Sequence, residues 1–126
     1  MSSQKTILAI DDEIKALNLL KLTLEASGFN IDIESEGRYG IELARKKHFD
    51  LIILDIKMPN IDGWKICQDL KLFNETKDIP IILLSALSGD SIKRKATSLG
   101  VFKYITKPVD PDFLVETIST ILYKSN

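Results

Sequence analysis

Five short apolar runs, each followed by a longer stretch with helical spacing, constrain this chain more than any other feature of its sequence. Residues 6–10, 30–34, 51–54, 81–84 and 101–105 read as strands, and in the third the branched aliphatics Leu51-Ile52-Ile53-Leu54 are continuous rather than alternating. A continuous apolar run bounded by turn signals, here Met58-Pro59, suits a strand covered on both faces. The second and fifth runs are interrupted by polar residues, as half-exposed strands would be.

The intervening stretches carry apolar residues at helical intervals. Residues 14–26 set Leu17, Leu20 and Leu24 on one face and stop at Ser27-Gly28, a suitable helix end. Residues 38–47 and 63–73 follow, and 90–99 is mostly polar, which predicts the least firmly packed helix. Residues 110–123 close the series, with Asp110 fit to be an N-cap and Pro111 at the first helical position. Strict strand–helix alternation with short connections predicts a doubly wound α/β domain, its sheet parallel and its helices on both faces.

No repeat or linker interrupts the 126 residues, so residues 1–126 read as one domain with no output domain. A chain of that length buries roughly two-thirds of its unfolded surface without disulfides, and its single cysteine, Cys67, has no partner to pair with. With 17 basic and 18 acidic side chains the formal charge is -1, which predicts neither direct nucleic-acid binding nor attraction to an anionic membrane. No stretch approaches the roughly 20 apolar residues of a membrane span and the N-terminus lacks signal-peptide character, so the expected location is cytoplasmic.

In doubly wound sheets ligands bind beyond the carboxyl ends of the strands. Asp11 and Asp12 follow the first apolar run, Asp55 the third, Ser85 the fourth and Lys107 the fifth. Singly, each has a plain reading: Asp11 or Asp12 could cap the helix beginning near Ile14, and Lys107 could be a solvated lysine. Together they put carboxylates where they repel one another unless a cation neutralises them, and oxygen-only ligands suit a hard ion such as Mg²⁺. A metal beside an open carboxylate, with an ammonium and a hydroxyl across from it, suits phosphoryl transfer to an aspartate, here Asp55.

The segments LAIDDE, LIILDIKMPNIDGW, IILLSAL and YITKPVD, in that order and over essentially the whole chain, resemble the receiver domain of two-component response regulators. The resemblance implies a flavodoxin-like, five-stranded parallel sheet of order 2-1-3-4-5 with five helices, and a signalling switch rather than a turnover enzyme. It implies that Asp55 accepts a phosphoryl group from a sensor histidine kinase or histidine phosphotransfer protein. Asp12 and Asp55 would ligate Mg²⁺ (or Mn²⁺) with the backbone carbonyl of Lys57, Asp11 acting largely through water. Lys107 would pair with the phosphoryl group, Ser85 would hydrogen-bond to it, and the Lys107-Pro108 peptide is a candidate for the cis form. Tyr104 is either the family's switch aromatic, coupled to Ser85 and read by a downstream protein on the helix 4–strand 5–helix 5 face, or a half-buried strand residue.

The chain departs from the family at Phe102-Lys103, where members that dimerise through that face to bind DNA carry an acidic pair. Two readings from other classes stand beside this one. A haloacid-dehalogenase-like phosphatase would carry an acid two positions after Asp55, where this chain has Lys57. A receiver-like module that binds partners without phosphorylation would have no need of the polar groups at the strand ends.

Overall fold

A computed structural model describes residues 4–56 and 61–123. Five strands alternate with five helices: β1 Thr6–Asp11, α1 Ile14–Ala26, β2 Asn30–Glu34, α2 Gly37–Lys46, β3 Leu51–Ile56, α3 Ile61–Leu70, β4 Ile81–Ser85, α4 Asp90–Ser98, β5 Lys103–Thr106 and α5 Pro111–Tyr123. The strands form one sheet of order β2-β1-β3-β4-β5, and every pairing is parallel.

Side chains alternate between sheet faces along a strand, and the central strands use both. Leu8, Ile10, Ile52, Leu54, Ile81 and Leu83 point into a core with α2, α3 and α4. Ile7, Ala9, Leu51, Ile53, Ile82 and Leu84 point into a second core with α1 and α5. Two covered faces leave no place for a polar residue, which is why the run Leu51-Ile52-Ile53-Leu54 is unbroken. β2 and β5 lie at the sheet edges, and their exposed and half-exposed positions are the polar interruptions seen in the sequence.

Local chemistry sets the element ends. After α1, Gly28 takes φ +95°, a conformation that costs glycine little, and lets the Phe29 N–H return to the Leu24 carbonyl at 3.1 Å. Asp110 caps α5 by accepting the Phe113 N–H on Oδ2 at 3.1 Å. α3 stops at Leu70 rather than running to residue 73, because the Thr76 hydroxyl donates to the Leu70 carbonyl and the chain turns there. β5 starts at Lys103 rather than 101: the Val101 N–H is taken by the Ala96 carbonyl at 3.1 Å, which closes α4 instead of extending the sheet. α4 buries fully only Ala96, with Ile92 and Leu99 partly covered, in keeping with its polar sequence. Cys67 and Trp64 pack in the α2–α4 core. The Met58-Pro59 turn lies outside the described residues, and among those described no helix is long and apolar enough to cross a membrane.

α2 approaches the sheet closely at one point. A Cβ on Gly40 would stand 2.5 Å from Ile10 Cδ1 and 2.9 Å from its Cγ1. Gly40→Val should therefore lower the unfolding free energy by about 1–3 kcal/mol through overpacking, measured by urea denaturation; unchanged stability would show that α2 does not rest on β1 at that distance.

Candidate functional site

The β1–β3 register sets Asp11 directly opposite Asp55. Both acids lie inside their strands, since the ladder continues past the apolar runs. By alternation Asp11 extends the row of Ile7 and Ala9, and Asp55 extends that of Leu51 and Ile53, so the two carboxylates stand side by side on the α1/α5 face. They are 2% and 6% exposed, whereas Asp12 is exposed. This edge, with β2 on one side of β1 and β3 on the other, is the point where the strand order reverses.

The remaining residues arrive from the next two strands. Ser85 ends β4, fully buried, one register step beyond Leu84, the partner of Asp55. Lys107 follows β5, its backbone N–H donating to the Ser85 carbonyl at 2.7 Å while its ammonium forms an ion pair with Asp55 Oδ1. The Lys107–Pro108 peptide is cis, as the resemblance implied. The Leu87 N–H donates to Ser85 Oγ at 3.2 Å, and the Tyr104 hydroxyl donates to the Leu87 carbonyl. Tyr104 is half-buried against the α2–α4 core. The Lys57 carbonyl lies outside the described residues.

Charge is unbalanced here. Burial raises the pKa of Asp11 to about 7; the Glu13 N–H, donated to Oδ1 at 3.0 Å, opposes this, Asp55 adds to it, Lys107 opposes it and Asp12 adds to it. Burial also raises the pKa of Asp55, outweighing the hydrogen bond and charge of Lys107 and a hydrogen bond with Asp11, and the Glu13 carboxylate pushes the same way as burial. Asp11 Oδ2 is buried with no hydrogen-bond partner. Among the described residues no three His, Cys, Asp or Glu side chains gather closely enough to form a ready metal cage. The carboxylates thus form a partial oxygen shell with an unmet need for positive charge, which fits an ion such as Mg²⁺ that keeps several of its waters. The contribution of Glu13 was not drawn from the sequence, although a third consecutive acid in Asp11-Asp12-Glu13 signalled it. The Leu87 link runs through backbone atoms and has no sequence signature.

Comparison with known proteins agrees with this geometry. The response regulator receiver domain matches residues 7–119, and the chain belongs to that family. It is 32% identical over 120 residues to the DNA-binding dual master transcriptional regulator RpaA of Synechocystis sp., covering 95% of this chain and 50% of that protein. Chemotaxis protein CheY4 of Vibrio cholerae has the same fold with a TM-score of 0.87 and 27% identity, covering 95% of this chain and 100% of that one. The receiver domain of sensor histidine kinase PA1611 from Pseudomonas aeruginosa, solved with magnesium in its active site cleft, has a TM-score of 0.84 at 19% identity, covers 97% of this chain and 100% of that one, and shows the fold alone.

The chain spans about half the length of the curated relatives it matches. One expectation is corrected by them: the exclusion of nucleic acid does not stand, since these relatives are named as transcriptional regulators and RpaA as DNA-binding. The physical reason is that a charge of -1 describes these 126 residues only. It carries no information about contacts that those relatives make through the half of their length that this chain does not cover.

The raised pKa of Asp11 fixes the sign of a pH effect. A carboxyl whose folded pKa lies above its unfolded value, 3.8 rising to about 7, contributes stability that is complete below the lower value and lost as pH rises through the upper one. Asp11→Asn keeps the shape without the charge. In chelator, its melting temperature should exceed that of the wild type by a margin that widens from pH 5 to pH 8, and a margin that narrows would contradict the placement of Asp11 in an acid-crowded pocket.

Proposed function

We propose that this chain is a phosphorylation-activated switch in which Asp55 accepts a phosphoryl group from the phosphohistidine of a sensor kinase or phosphotransfer protein. The carrying observation is the buried Asp55 carboxylate, held by Lys107 through Oδ1 and flanked by Asp11 across the β1–β3 pair. Lys107, paired with Oδ1, would fix the carboxylate orientation while a carboxylate oxygen attacks phosphorus. The phosphorus–nitrogen bond breaks as the new phosphorus–oxygen bond forms, and the ammonium of Lys107 is in place to meet the added charge.

Asp11, Asp12 and Asp55, with the Lys57 carbonyl as a further oxygen, would hold a Mg²⁺ that balances charge on the equatorial phosphoryl oxygens. The orphaned Asp11 Oδ2 supports this reading, and magnesium in the PA1611 receiver is a parallel in another protein. The group transferred stays on the protein's own carboxylate, so the chain acts as a switch and not as a multiple-turnover enzyme.

Phosphorylation adds about -1.5 to -2 charges and three strong acceptors. The Ser85 hydroxyl would turn to donate to one of them, disturbing the Leu87 peptide to which Tyr104 is tied. α4, thinly anchored through Ala96, would repack with β5 and α5 at small cost, shifting the population toward a state that a downstream partner binds. The DNA-binding relative RpaA points to transcription as an output such a switch controls.

Incubation with acetyl phosphate and Mg²⁺ should add one phosphate to the wild type by intact mass, none to Asp55→Asn, and none to the wild type in excess chelator. An adduct that persists in Asp55→Asn would remove Asp55 from the mechanism.

A further inference from the structure

Few contacts hold α4 to the rest of the domain, and one of them is not apolar. The Lys95 ammonium lies over the Trp64 ring, 5.2 Å from its centroid. That is within reach of the attraction between a cation and the negative face of an indole, the best of the aromatic partners. The two residues belong to elements of unequal firmness. Trp64 is 9% exposed on α3, and Ile66, Cys67 and Leu70 of the same helix are buried with it. Lys95 is exposed on α4, whose first turn has no side-chain cap and whose one fully buried residue is Ala96. The other cations bound to α3, Arg38 and Lys65, pair with Asp69, so they tie α3 to α2 and to itself and do nothing for α4.

From this contact we infer that Lys95 and Trp64 form a latch that holds α4 in its resting position and sets the threshold of the switch. The inference rests on Asp55 being the group whose modification repacks α4. A movement of α4 relative to α3 carries the ammonium off the ring, because the indole is rooted in the core while the lysine travels with its own helix. The contact is then present in the resting state and lost in the active one. Such a contact biases the equilibrium by its whole energy, whereas one kept in both states would bias nothing.

The active state is the one that binds a phosphoryl group, or a mimic of it, more tightly. While that state is the minor one, apparent affinity scales with its population, so releasing the latch tightens binding without any change at Asp55. A cation over an aromatic ring at an exposed site corresponds to a factor of about two to five.

The test titrates the beryllium trifluoride anion, a mimic of a carboxylate-bound phosphoryl group, into the full chain in Mg²⁺ and follows the bound species by fluorine NMR. Lys95→Gln removes the ammonium and leaves a good helix former at an exposed position. Lys93→Gln removes the same charge from the same helix, from a side chain that is exposed and does not lie over the ring. Lys95→Arg keeps a cation able to stack on it. The dissociation constant should fall about two- to fivefold in Lys95→Gln and hold its wild-type value in Lys93→Gln and Lys95→Arg. In a Trp64→Leu background, Lys95→Gln should bring no further gain, since the ring it acts on is gone. An affinity in Lys95→Gln no tighter than in the wild type, an equal gain in Lys93→Gln, or a gain that persists without Trp64 overturns the inference and leaves the phosphoacceptor reading intact. Binding of the mimic to Asp55→Asn as tightly as to the wild type would instead defeat that reading, and this one with it.

Discussion

The structure turns on the side-by-side placement of Asp11 and Asp55 at the ends of two hydrogen-bonded parallel strands. Neither acid chose this neighbour through its own chemistry. The ladder between β1 and β3 pairs Ile7 with Leu51 and every residue after them in step, so the acids meet because the aliphatics before them must. Each of those aliphatics is buried, and a slip by one residue would turn the whole row to the wrong core. Burial of apolar side chains thus holds two carboxyls together away from water, and it is chiefly this loss of hydration that raises the pKa of both, against the opposing pull of Lys107.

Packing weakens outward from that pair. The apolar residues of β1, β3 and β4 are sealed on both faces. At the far edge, β5 has four residues with one buried, and α4 has one buried alanine. Local opening costs least where fewest apolar contacts are lost. The Asp55 carboxylate and the Ser85 hydroxyl are therefore carried by the most tightly packed strands, and Tyr104 beside them by one of the least packed.

Much of this was legible in the sequence, for definite reasons. The continuous aliphatics of the third strand could suit only a strand with two covered faces, and five such runs alternating with helical stretches leave few topologies. Asp11, Asp55, Ser85 and Lys107 were placed correctly at strand ends because a parallel sheet puts all those ends on one edge. Phe102 is 61% exposed, a fact its sequence left open because the residue falls in the turn between α4 and β5, where no periodicity applies. The end of α3 was misplaced because Phe73 continues the helical pattern while a hydroxyl three residues on, at Thr76, takes the Leu70 carbonyl. The groove beside Asp55 was invisible for a different reason: it is a gap between α1 and the chain after Lys107, which periodicity within one element does not describe.

The same alternation divides the site into two compartments. Asp11 and Asp55 extend rows that face α1 and α5, and the groove that reaches Asp55 lies on that side. Ser85 extends the row of Ile81 and Leu83, which faces α2, α3 and α4, and Tyr104 packs into that same core. Between them stands only the thickness of the sheet, crossed at its edge by Lys107, whose ammonium reaches Asp55 on one side while its backbone N–H is bonded to Ser85. The groove beside Asp55 and the inner face of α4 therefore lie in opposite layers of the domain. The covered parallel sheet that forces the acids together also keeps their layer apart from the one into which Ser85 and Tyr104 face.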